Sequence, residues 1–195
     1  MSVGIVDRPV ATEAPEEAPG GLRGRFAALR RRLRMPAPDP TEVERERVRR
    51  LAEARAVLER AREVVAHGWV QDAFYVVRDP QGRLRPVSPF GLLVLDRTDV
   101  AGACLVGAVA HASAEVDRRQ RRGPAALAVD TLWDTLGEQS GRWHLPAAAE
   151  ATHPAARAAR VRDLARWNDE PQRTRQDVLD LIDRSVSRTI FESVR

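Results

Sequence analysis

The sequence predicts a mainly α fold: one small helical domain of about five helices with an inserted β-hairpin, behind a disordered N-terminal arm. Three observations predict it. Beyond Pro40, apolar residues recur again and again at helical spacing, in stretches bounded by proline, glycine and capping residues. One pair of short alternating segments flanks the turn-forming run Arg78-Asp79-Pro80-Gln81-Gly82. The opening stretch has neither pattern. At 195 residues the chain suits one domain plus a tail, and it divides into an arm, 1–40, and a domain, 41–195.

Residues 1–21 carry Pro9, Pro15, Pro19, Gly20 and Gly21 among scattered acids, with hardly a large apolar side chain to offset the entropy of ordering. Leu22 to Met35 is different. Leu22, Phe26, Leu29 and Leu33 recur at helical spacing, while Arg23, Arg25, Arg30, Arg31, Arg32 and Arg34 meet no acid among them. This is the pattern of a basic amphipathic helix, suited to an anionic membrane or a phosphate backbone, or else of a charged linker. Pro36, Pro38 and Pro40 then make a stiff spacer.

Thr41 and Glu44 form a capping-box pattern that opens the first domain helix, with Leu51, Ala54, Leu58, Ala61 and Val65 on one face and a stop at Gly68. Phe74–Val77 and Arg83–Val87 read as the hairpin, its return strand confined to an edge by Pro86 and Pro89. Phe90–Leu95 reads as another extended piece. Gly102 to about Asp117 reads as a helix rich in small residues, which lets a neighbouring backbone approach closely. Pro124 opens the next helix, with Ala125, Ala128, Leu132 and Leu136 inward and Gly137 closing it. Glu138–His153, holding Trp143 and Pro146, reads as a loop. Pro154 starts a helix carrying Ala158, Val161, Leu164 and Trp167. Thr174 with Asp177 makes a second capping box, followed by Val178, Ile182, Val186 and Ile190 on the last helix.

Composition narrows the chemistry. Lysine and arginine together number 32 and every one is arginine; 28 acids match most of them, leaving a net charge of +4. Nucleic-acid affinity over the whole surface does not follow from that balance. Without lysine, a P-loop nucleotidase and any Schiff-base enzyme are excluded, and no G-x-S-x-G elbow is present. A single cysteine rules out an internal disulfide and a thiolate zinc cluster. With no apolar signal stretch near Met1, that points to the cytoplasm. The longest apolar runs, Gly91–Leu95 and Gly102–Ala110, fall far short of the ~20 residues of a membrane span. His67, His111, His144 and His153 have no ligand spacing, so neither a metal nor a cofactor is expected.

Cys104 is the one candidate nucleophile. Near a helix start its thiol pKa would fall, but His111 lies ~10 Å further along the axis, beyond reach as a base. Cysteine among alanine and glycine is more ordinarily a small buried hydrophobe. The segment Trp167-Asn168-Asp169-Glu170-Pro171-Gln172-Arg173-Thr174 joins an aromatic anchor, turn formers and a helix cap. Asp169, Asn168 and Arg173 could form a polar pocket there; turn chemistry explains the same residues.

Three islands stand in order: Gly68-Trp69-Val70-Gln71, Cys104-Leu105-Val106-Gly107-Ala108, and Trp167-Asn168-Asp169 through Arg173-Thr174 and Val178. Together, from about Arg49 to Ile190, they resemble domain of unknown function 6197, an uncharacterised bacterial and phage family with GW-x-Q, C-x-x-G-A and WND-x-P-x-R-T in that order. Gln172 replaces the glycine of the family's turn, Arg118–Arg160 is longer than usual, and the arm lies outside the pattern. The resemblance brings no activity. It implies a shared patch of Trp69, Gln71, Cys104, Asn168 and Asp169. Three function classes stand: a small cytoplasmic binding or accessory module, contacting a protein or, through its basic segment, an anionic partner; an enzyme using Cys104 with Asp169, Asn168 or Gln71 in support; or a purely structural subunit of a larger assembly.

Overall fold

Helix α1 runs from Pro40 to His67 and buries one stripe, Leu51, Ala54, Val57, Leu58, Ala61 and Val65, the face the periodicity predicts. Its outer faces are laced with arginine–glutamate pairs three or four residues apart, such as Arg47–Glu44 and Arg55–Glu59. The computed structural model describes residues 39–87, 100–116, 124–141 and 153–195. The arm with its basic segment, the extended piece at Phe90–Leu95 and the loop residues Trp143, His144 and Pro146 lie outside the described residues.

After α1 come strands β1 (Tyr75–Arg78), β2 (Leu84–Val87) and β3 (Val100–Ala103). Four more helices follow: α2 (Leu105–Val116), α3 (Pro124–Ser140), α4 (Pro154–Asn168) and α5 (Arg175–Ser193). Among the described residues this is a mainly α fold of five helices with a small antiparallel sheet. Helix α1 is the centre: it packs against α5, α2, α3 and β3, while α4 lies across α3 and α2. Leu58, Leu105, Leu132, Leu164, Leu181 and Ile182 are fully buried where these elements meet.

The hairpin forms where expected, with Gly82 in the left-handed region (φ +79°) closing its turn. Strand order is β2-β1-β3, so the proline-bearing return strand is indeed an edge. The third strand departs from the sequence reading. Gly102 and Ala103 belong to β3, and the helix begins only at Leu105. The run of small residues serves a backbone approach, but from a strand. Gly68–Val70 runs parallel alongside it: the Ala103 amide donates to Gly68 O (2.9 Å) and the Val70 amide to Ala103 O (3.3 Å). Both edges of β3 are thereby covered.

On three helices the predicted apolar face packs on the core, but polar residues are buried beside it and a predicted residue at the edge is left out on two of them. On α4, Arg160, Leu164 and Asn168 are buried and Ala158 is exposed. Arg160 is drawn inward because Asp130 of α3 takes its charge at 2.9 Å and the Trp133 ring lies 4.5 Å beneath its guanidinium. On α5, Ser185 and Thr189 are buried while Ile190 is 42% exposed; each hydroxyl satisfies itself on a carbonyl of its own helix. On α3, Asp130, Thr131 and Thr135 join Ala128 and Leu132 inside, and the helix passes Gly137 to end before Gly141 (φ +61°).

Candidate binding site at the Trp-Asn-Asp turn

Helix α4 ends in the segment that the sequence marks out. Asp169 caps it, its amide donating to Ala165 O at 3.0 Å, and the chain turns through Pro171 into the capping box of α5. In that box Thr174 and Asp177 each bond the other's backbone amide. The turn thus joins two well-finished helix ends.

Asn168 is wholly buried at the junction, and its side chain holds two distant parts of the chain, Trp69–Val70 and Leu105. Its Oδ1 accepts from the Trp69 indole N–H (2.9 Å) and from the Leu105 amide (3.0 Å). Its Nδ2 donates to Val70 O (3.1 Å) and to Asp169 Oδ1 (2.7 Å). A primary amide has two acceptor sites and two N–H donors, so all of its capacity is used. The Leu105 amide is one of the orphan donors of the α2 N-terminus, so a side chain of α4 caps α2. Gln71 closes the clasp from outside, its Nε2 donating to the carbonyls of Asn168 (3.0 Å) and Glu170 (2.8 Å). Asp169 Oδ1 also accepts from the amide of Asp72, which stands at φ +57°.

The motif glycines complete this junction. A Cβ on Gly68 would fall 2.1 Å from Ala101 O, and one on Gly107 2.2 Å from Phe74 O. Gly68 is therefore required by contact and not by a left-handed cap. The three sequence islands converge as one structural clasp: Trp69, Gln71, Asn168 and Asp169 come together around the start of α2.

Cys104 is in that clasp and is 4% exposed. It stands one residue before α2, where its Sγ accepts the Gly107 amide at 3.3 Å, as a helix cap does. Burial pushes the thiol pKa up; the Gly107 amide opposes this and the charge of Asp169 adds to it. The fall expected from the helix start is overturned, because the thiol is enclosed and not merely near a dipole. His111 instead pairs its Nε2 with Glu115 at 3.1 Å. Among the described residues no group of three histidines, cysteines or acids could hold a metal.

Trp167 and Arg173 face the opposite side of the turn. The Arg173 guanidinium stacks 4.0 Å over the Trp167 ring, its Nε donates to Trp167 O (3.1 Å), and it pairs with Glu170. These side chains wall a cleft of about 460 Å³ between α3 and α4, together with Trp133, Asp163 and Arg166. Trp133 is held there by its indole N–H on Asp163 Oδ2 at 3.2 Å. Sequence reading missed Trp133, Asp163, Arg166 and Glu170. A signal existed, since Asp163, Arg166 and Trp167 follow at helical spacing on one side of α4. Chemically the cleft sets two indole rings and Leu136 among polar and charged side chains, Gln139, Ser140, Asp163, Arg166, Glu170 and Arg173.

Fold and site together define a small helical domain closed by an asparagine clasp, with an aromatic cleft beside it. The profile described as Family of unknown function (DUF6197) matches residues 49–188, and the chain belongs to that family. No curated protein and no solved structure matches it. Among the described residues no helix is long and apolar enough to cross a membrane.

Proposed function

We propose that the chain is a small cytoplasmic binding or accessory module that works by contact with a partner, and that the cleft between α3 and α4 is its contact surface. One observation carries this reading. Asn168, at the heart of the family pattern, spends all four of its hydrogen-bonding positions inside the fold. The motif residues hold shape: Gln71 ties down the carbonyls of Asn168 and Glu170, in the turn between Trp167 and Arg173, whose side chains wall the cleft. A cysteine-dependent enzyme would need an open thiolate, and Cys104 is closed in with its pKa raised by burial.

The test is native mass spectrometry of the untagged protein isolated from its own cytoplasm, beside a Trp133→Leu/Arg166→Glu variant with an unchanged circular dichroism spectrum. A bound mass that the wild type carries and the variant lacks supports the reading. A bare wild type, with Cys104 alkylated in the native state as fast as a free thiol, would overturn it in favour of the enzyme.

A further inference from the structure

The donors and acceptors on the cleft wall are unequally provided for. The two acids are engaged: Asp163 accepts from the Trp133 indole, and Glu170 from Arg173, with Gln172 Nε2 at 3.4 Å. The donors are not. Among the described residues Arg166 makes neither an ion pair nor a hydrogen bond, and the Trp167 indole N–H meets no acceptor, yet both side chains line the cleft. Each indole already carries a guanidinium over one ring face, Arg160 over Trp133 at 4.5 Å and Arg173 over Trp167 at 4.0 Å. Those stacks hold the rings in place, and both rings line the cleft.

Resting on the reading of this cleft as the contact site, we propose that it takes a small ligand made of a flat apolar ring bearing one anionic group. The ring lies against Trp133 and Trp167, and the anion meets the Arg166 guanidinium and the Trp167 indole N–H. Planar guanidinium suits a carboxylate or phosphate held in two-point fashion. A volume of about 460 Å³ lies within the ~300–1,000 Å³ of small-molecule sites and leaves room for a bicyclic ring. The acids set the upper limit on charge. A chain of phosphates would run onto Asp163 and Glu170, so one anionic group fits and a nucleic-acid backbone does not.

The experiment uses the full chain, nitrogen-15 labelled, titrated with 2-naphthoate, its neutral amide 2-naphthamide, and the cation 2-naphthylmethylamine. The indole N–H signals are assigned by Trp133→Phe and Trp167→Phe. The expected result is that naphthoate moves the Trp133 and Trp167 signals and binds about tenfold more tightly than the amide, a difference of ~1.4 kcal/mol. Arg166→Gln, at an exposed side chain without partners among the described residues, should bring naphthoate down to the level of the amide and leave the amide unchanged. Equal binding of acid and amide, stronger binding of the amine, or no effect of Arg166→Gln would each overturn the proposal. So would the absence of any binding at millimolar concentration. In that last case a bound mass lost with the Trp133→Leu/Arg166→Glu variant would still leave the contact-surface reading standing, so the two can fail separately.

Discussion

Asn168 is the residue on which most of the junction depends. Asn168→Ala would leave the Trp69 indole N–H, the Leu105 amide and the Val70 carbonyl without their partner. Each orphaned buried group costs ~1–3 kcal/mol, so a loss of roughly 3–5 kcal/mol is expected in urea unfolding. A loss under ~1 kcal/mol would mean that water replaces the amide at no cost. Asn168→Asp separates donor from acceptor. It keeps one oxygen for Trp69 and Leu105 but sets the other against Val70 O and the Asp169 carboxylate. It should be as damaging as alanine at neutral pH, and partly relieved where the new carboxyl is protonated. A contrast of glycines checks the packing argument. Gly82→Ala meets nothing within 4 Å but strains a positive φ, at ~1 kcal/mol. Gly68→Ala drives a Cβ to 2.1 Å from Ala101 O and should cost roughly 3 kcal/mol or more. Equal melting temperatures for the two variants would contradict close approach as the reason for Gly68.

Among the elements, α5 owes its start to the capping box. Thr174→Ala removes the oxygen that accepts the Asp177 amide and should cost ~1 kcal/mol. The same box gives a pH signature. The Thr174 amide, and then its hydroxyl, hold the Asp177 carboxyl below its usual pKa. A depressed acid stabilises the fold above its unfolded pKa of ~3.9 and ceases to as pH falls through the folded value. The gap between wild type and Thr174→Ala should therefore narrow in acid, as read by thermal unfolding at pH 7 and near pH 2; a gap independent of pH would remove the carboxylate from the account. The long helix α1 shows how little the arginine pairs say about partners. Glu46, taking hydrogen bonds from Arg49 and Arg50, has its pKa lowered to about 2, yet its side chain is still 40% open to solvent. Such pairs dress a solvated face.

For the molecule as a whole, a half-buried acid also shapes the response to pH. Burial raises the pKa of Asp134 on α3; Arg160 and Arg188 pull it down, and Asp130 and Glu192 add to the rise. A raised acid favours folding below its unfolded pKa and loses that contribution as pH rises through the folded value. Ionised Asp134 therefore burdens the fold at neutral pH. Asp134→Asn should raise the melting temperature at pH 7, with no difference below about pH 4; a lower melting temperature at pH 7 would show that the carboxylate is needed by its arginines. The arm is a separate matter. Deleting residues 1–40 is expected to leave the melting temperature unchanged and to abolish salt-sensitive binding to nucleic acid or anionic vesicles through the arginines of Leu22–Met35. Binding that survives the deletion would place the anionic contact in the domain.

The sequence by itself determined what is local: which stretches are helical, where Gly68, Pro124, Pro154 and the Thr174 box interrupt them, and which strand of the hairpin is an edge; it also carries the family membership. Periodicity and caps act within a few residues, so they can be read without the fold. The tertiary structure alone decided the rest. Asn168 and Trp69 bond across 99 residues of chain, and no local pattern records such a pairing. Gly102 and Ala103 read equally well as helix until Gly68–Val70 is laid beside them as strand partners. Arg160 looks like a surface residue until Asp130 and Trp133 surround it. The cleft, too, exists only where α3 and α4 meet. A hydrogen bond between distant residues is formed by the arrangement of helices, and that arrangement is the sum of many packing contacts, none of which is visible from its own stretch of sequence.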